Sequence, residues 1–138
     1  MHLISTQTKE RLTESLLSYY ETMSKGELKK LSSLMTEESY LTLIKALGFK
    51  RSFKDKTFQS ILKKSDQDHL SLETVEAVLS TDLAKEAVQH KIVLISFETK
   101  GPQRITVHYT EDDKLKKVYF SSTTGKWKID YNAGRKIT

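Results

Sequence analysis

The residues of this 138-residue chain that could do chemistry are four histidines, six tyrosines, one tryptophan and eighteen acids; there is no cysteine. Disulfides, cysteine-ligated zinc and thiol nucleophiles are therefore excluded. His2 is near the start of the sequence. His69 closes the run Asp66-Gln67-Asp68-His69, whose Asp-x-Asp-His pattern offers cation ligands. No second histidine–carboxylate pair stands at a helical spacing to complete a site. The run reads as a solvated turn, and neither a metal nor a cofactor is expected. His90 and His108 are expected on strands, with His108 on the same face as Arg104, Thr106 and Thr110. That places His108 at the surface rather than in the role of a base. The glycines (26, 48, 101, 125 and 134) stand singly. A phosphate-cradling loop needs them close together so that the backbone can approach the anion, which excludes the common nucleotide-binding loops.

The elements that must position these groups follow from hydrophobic periodicity. Leu12, Leu16, Tyr19, Tyr20 and Met23 recur at three- and four-residue spacing, one stripe of an amphipathic helix. It is expected to stop near Ser24-Lys25-Gly26, where Ser24 and Glu27 match a capping box for a short second helix through Leu28, Leu31, Leu34 and Met35. Thr36, followed by Glu37 and Glu38, matches an N-cap with acids suited to the helix dipole. Tyr40, Leu43, Ile44 and Leu47 form a third stripe, for which Gly48 is the expected stop. Phe49 to Lys56 reads as basic and irregular, and Phe58, Ile61 and Leu62 as a short helix ending near Ser65. Residues 70–80 fit either period, since Val75, Val78 and Leu79 suit a helix while Val75, Ala77 and Leu79 alternate; the reading leans to a strand.

Beyond that point the period is two. Val93, Ile95 and Phe97 alternate with Leu94, Ser96 and Glu98. Ile105, Val107 and Tyr109 do so with Arg104, Thr106 and His108, and Trp127, Ile129 and Tyr131 with Lys126, Lys128 and Asp130; Val118 and Phe120 belong to a further strand. Gly101-Pro102, Glu111-Asp112-Asp113 and Thr124-Gly125 are short turns, so neighbouring strands run antiparallel. The expected fold is α+β: one domain over 1–138, with helices at about 8–65 packed on a curved antiparallel sheet at about 70–133. No apolar run reaches the ~20 residues of a membrane helix. The first residues lack the features of a signal peptide, so a cytoplasmic location is the default expectation, an exported form with its signal removed giving the same sequence.

The net charge of +5 is unevenly placed. From Lys100 onward nine bases face four acids, whereas the preceding residues carry fourteen of each. Such a field could attract nucleic acid, anionic lipid or an acidic protein, or simply solvate one sheet face. Lysines and aromatics alternate along the strands and so fall on opposite faces, which argues against base stacking and nucleic acid. The candidate interface residues are Lys116, Lys117, Lys126 and Lys128.

Two local patterns carry a resemblance. One is Tyr19-Tyr20-Glu21-Thr22-Met23-Ser24-Lys25-Gly26-Glu27-Leu28-Lys29-Lys30-Leu31 with Leu34-Met35-Thr36; the other is Gly125-Lys126-Trp127-Lys128-Ile129-Asp130-Tyr131. With the helix-then-sheet order, they resemble the nuclear transport factor 2-like superfamily (the SnoaL-like or cystatin-like cone). The resemblance implies a sheet curved around the helices into a cone whose mouth can hold a ligand, and a homodimer. The superfamily includes isomerases, dehydratases, transport adaptors and ligand-binding domains, and the fold does not choose among them. Tyr40 to Ser65 depart from the usual plan by placing helices where relatives are more open. Acid–base catalysis in such a cone uses a tyrosine with a buried carboxylate of raised pKa. Here the apolar face is expected to offer Tyr109, Trp127 and Tyr131, with Tyr19 or Tyr20 from the helix, but no carboxylate or histidine. No catalytic residue is assigned. The expected function is non-catalytic: binding of an apolar small molecule near Tyr20, Tyr109, Trp127 and Tyr131, or of a protein. The alternatives are an isomerase- or dehydratase-like enzyme and a basic surface for an acidic partner.

Overall fold

In the computed structural model, residues 4–65, 67–86 and 88–131 are described. His2, Asp66, Gly134, Arg135 and Lys136 lie outside them. Five helices precede four strands: α1 Thr6–Lys25, α2 Leu28–Ser32, α3 Glu37–Ser52, α4 Lys56–Lys64, α5 His69–Lys85, β1 Ile92–Thr99, β2 Arg104–Glu111, β3 Lys114–Thr123 and β4 Lys126–Ile129. The strands form an antiparallel meander in the order β1-β2-β3-β4, and the architecture is α+β. None of the described helices is long and apolar enough to cross a membrane.

The helix ends show which local signals hold. Gly26 takes a left-handed conformation (φ 72°); its N–H bonds Met23 O and that of Glu27 bonds Thr22 O, a Schellman stop. Ser24 is thus still inside α1, where its hydroxyl donates to Glu21 O. The expected capping box does not form. Thr36 does cap α3, accepting from Ser39 N–H at 3.2 Å. Gly48 is no stop. The helix continues through it to Ser52, and a Cβ added at Gly48 would meet the Leu62 side chain at 2.6 Å. The missing side chain lets α4 pack close.

The leaning towards a strand at 70–80 is overturned. The segment lies within α5, with Val75 and Leu79 buried and Ala77 exposed, so the sheet begins only at Ile92. Asp68 caps that helix by accepting from Leu70 N–H at 3.0 Å, and this is the role the Asp-x-Asp-His run supplies; His69 is exposed beside Glu73. The four-residue spacing wins over alternation because Val75 and Leu79 reach the core from one helix face.

The face assignment of β1 is also corrected. Leu94 pairs with Tyr109 but Ser96 with His108, so Ile95 is an extra residue in a bulge and the phase flips there. Ile92, Leu94 and Phe97 face the core, while Val93 and Ile95 are 46% and 56% exposed. β4 is held on its free side by the segment before α3: Ile129 N–H donates to Leu34 O and Thr36 N–H to Ile129 O, both at 2.9 Å.

Candidate functional site

Strand parity builds the site. On β2 the inward row is Ile105, Val107, Tyr109 and Glu111; on β3 their partners are Phe120, Val118, Lys116 and Lys114. The row begins buried and apolar and ends polar at the rim. There a cavity of about 730 Å³ opens, lined from α1 by Leu16, Tyr19, Tyr20 and Met23, from the α5 end by Leu83, and from the sheet by Tyr109, Glu111, Lys116, Val118 and Ile129, with Tyr131 and His90 at its sides. Its size falls in the range of small-molecule sites. The helices of 40–65 pack elsewhere and leave it open.

Two hydroxyl pairs cross from α1 to the sheet. Tyr19 Oη lies 2.7 Å from Tyr131 Oη, and Tyr20 Oη 2.7 Å from Tyr109 Oη. The Glu111 carboxylate stands close enough to the Tyr20 hydroxyl to raise its pKa. Either hydroxyl of the Tyr20–Tyr109 pair can donate to the other, and ionised Glu111 can only accept. Glu111 in turn holds Lys116 Nζ at 2.9 Å. The result is a polar cluster at the rim: a tyrosine pair beside a carboxylate that is held by an ammonium. Tyr131 is placed by its own backbone: its N–H donates to buried Ser39 Oγ at 2.8 Å, beside the α3 cap.

Electrostatics follow from this geometry. Burial, then the bond with Tyr109 and the nearby Glu111 carboxylate, push the Tyr20 phenol well above its ordinary value. Burial, then the neighbouring Tyr131, does the same for Tyr19. These phenols remain neutral at neutral pH and act as donors and acceptors, not bases. The bond to Lys116, then the nearby Tyr20 hydroxyl, holds the Glu111 carboxyl below the usual range, which weakens it as a base. The His90 ring packs edge-on to Tyr20 at 5.9 Å, and its Nδ1 lies 2.6 Å from Asp112 Oδ2. Asp112 is fixed by Lys91 N–H at 2.8 Å in a turn where Asp112 and Asp113 both have positive φ. His90, Glu111 and Asp112 are the group among the described residues whose donor atoms approach closely enough for a cation, within 4.8 Å of one another. To take one, they would have to release Lys116 and the proton shared between His90 and Asp112.

The expected pocket residues part company. Tyr20, Tyr109 and Tyr131 line the cavity, whereas Trp127 borders a separate groove with Arg11, Glu14 and Lys128. The expected absence of an inward carboxylate or histidine is corrected by Glu111 and His90. Glu111 reads as a turn residue, yet carrying the Ile105-Val107-Tyr109 parity one step further puts it inside. His90 carries no such signal, because it precedes β1 and reaches the site through the fold. The interface candidates also divide: Lys116 faces the cavity through Glu111, Lys117 borders it despite the opposite strand parity, and Lys126 and Lys128 border the separate groove beside Trp127. His108 lies on the outer face, 3.5 Å from Glu98. Comparison with models of known protein families found no match, and neither a curated protein nor a solved structure matches the chain.

Proposed function

We propose that this domain binds a small, mainly apolar organic molecule bearing a hydroxyl or carbonyl in the cavity between α1 and the sheet, without transforming it. The observation that carries this reading is the cavity itself. It has an apolar floor of Leu16, Met23, Val118 and Ile129 and a small set of convergent hydroxyls from Tyr19, Tyr20, Tyr109 and Tyr131. An apolar body would gain about 25 cal/mol for each Å² removed from water, and a phenol hydroxyl would fix the orientation of one oxygen. Binding is favoured over the isomerase- or dehydratase-like alternative by the state of Glu111. A carboxylate held ionised by an ammonium is the reverse of the raised-pKa acid that such chemistry uses. The cavity between α1 and the antiparallel sheet and the helix-first order support the nuclear transport factor 2-like reading.

Native mass spectrometry of untagged protein from its own host tests this directly. The expected spectrum contains chain carrying a few hundred daltons of added mass. Met23→Trp, which fills the floor, is expected to abolish the adduct while the unfolding temperature stays within a few degrees. A wild-type spectrum of bare chain, coupled with failure of an apolar fluorescent probe to bind in a Met23-dependent way, overturns the proposal.

A further inference from the structure

The C-terminal end of α3 carries a second surface, away from the cavity. Phe49 and Phe53 stand four residues apart on one helical row and are 62% and 74% exposed. Their rings meet edge to face with centroids 4.8 Å apart. Beside that row Lys50 and Lys54 form a parallel one, and exposed Lys56 follows. From residue 45 to 56 there are five bases and one acid. That acid, Asp55, is engaged, accepting from Thr57 and Phe58 N–H to cap α4. Arg51 turns inward to Asp82 at 2.5 Å. Among the described residues no carboxylate lies within ion-pair distance of Lys50, Lys54 or Lys56. Across the shallow cleft beside them, Lys85 adds a further cation, and the two acids are Glu86 and Asp82, the latter taken up by Arg51.

From this pairing of bare phenyl rings with uncompensated ammonium groups, we infer that the α3–α4 corner docks on an anionic phospholipid surface. The charge complementarity is specific: lysines on a flexible stem meet lipid phosphates and carboxylates at the headgroup level, while phenylalanine, with no polar tip, gains by leaving water for the acyl boundary. A nucleic acid is the poorer match. Stacking needs ring faces open to successive bases, and here the two rings stand nearly perpendicular, one edge against the other's face, at an interplanar angle of 79°. The local surplus is invisible in a count by thirds of the chain, because acids elsewhere in the first hundred residues balance it.

The test is co-sedimentation of the full chain with vesicles of phosphatidylcholine, with and without phosphatidylserine. Binding is expected only with phosphatidylserine and should fall as salt rises. Phe49→Ala with Phe53→Ala, and separately Lys50→Glu with Lys54→Glu, should each weaken it about tenfold or more. All four side chains are exposed, so neither pair should move the unfolding temperature. Phe53→Trp supplies a second readout, a blue shift of the added tryptophan's emission on binding. Absence of binding to phosphatidylserine vesicles overturns the inference. So does binding that the phenylalanine pair does not weaken, or tighter binding to a single-stranded oligonucleotide with no blue shift on vesicles.

Discussion

At the closed end of the sheet's inner face stand Ile105 and Phe120, both buried under the helices. At the open end the same face of the same strands carries Tyr109, Glu111 and Lys116. The two ends share backbone and parity; what differs is the chemistry of the side chains that meet there. At the closed end apolar side chains fill the space and water is excluded. At the open end, where α1 brings Tyr19 and Tyr20, the row changes to side chains with an apolar body and a polar tip, which can wall a cavity and still satisfy their hydrogen bonds. One strand therefore supplies both the core that holds the fold and the rim that meets a ligand.

The sharpest way to break this division is at its closed end. Phe120→Ala removes a fully buried ring and should cost about 3–5 kcal/mol, measured by urea unfolding. A loss below about 1 kcal/mol would mean that the closed end is not a packed core. A step down in magnitude comes the joint between α1 and α5. Gly26 sits there with φ 72°, and an added Cβ would lie 2.2 Å from Ser80 O. Gly26→Ala should therefore cost about 1–3 kcal/mol through overpacking. If that variant is as stable as the parent, α1 and α5 are not in the close contact described.

How much of this could be read from the sequence depends on which period dominates locally. The meander was legible because its turns are unambiguous, and α1 because its stripe is uninterrupted. The cap at Thr36 was legible because the side chain that accepts the bond is local. Residues 70–80 were not, since Val75 and Leu79 satisfy both periods and only packing against α1 and α3 decides. Gly48 looked like a stop because a glycine's packing partner, here Leu62, is invisible in sequence. The bulge at Ile95 likewise leaves no mark in an apolar run. At the site, Tyr109 and Tyr131 could be placed by parity and Tyr20 by its helical stripe, whereas parity alone put Trp127 in the wrong place. Glu111 was lost only because an acidic triplet reads as a turn before it reads as the end of a strand. His90 depends on how the segment after α5 meets the β2–β3 turn, a tertiary fact with no local pattern.

The smallest expected effect concerns the open end and tests whether Glu111 is a charged rim group. Glu111→Gln keeps a side-chain oxygen beside Tyr20 but removes the charge that faces Lys116. That lysine's side chain is 44% exposed, so at neutral pH the variant should lose less than about 1 kcal/mol. The pH dependence is more telling than the size. The folded-state pKa of Glu111 is held below its unfolded value, chiefly by Lys116. Its contribution is therefore present above the unfolded pKa and is lost as pH falls through the folded one. Urea midpoints of the parent and the variant should accordingly differ at neutral pH and converge in acid, because other titrating groups cancel in the comparison. A gap that stays constant across that range would show that Glu111 carries no shifted charge. The open end would then be a neutral tyrosine-lined cavity, and the case against acid–base chemistry would have to rest on something other than the Lys116 pair.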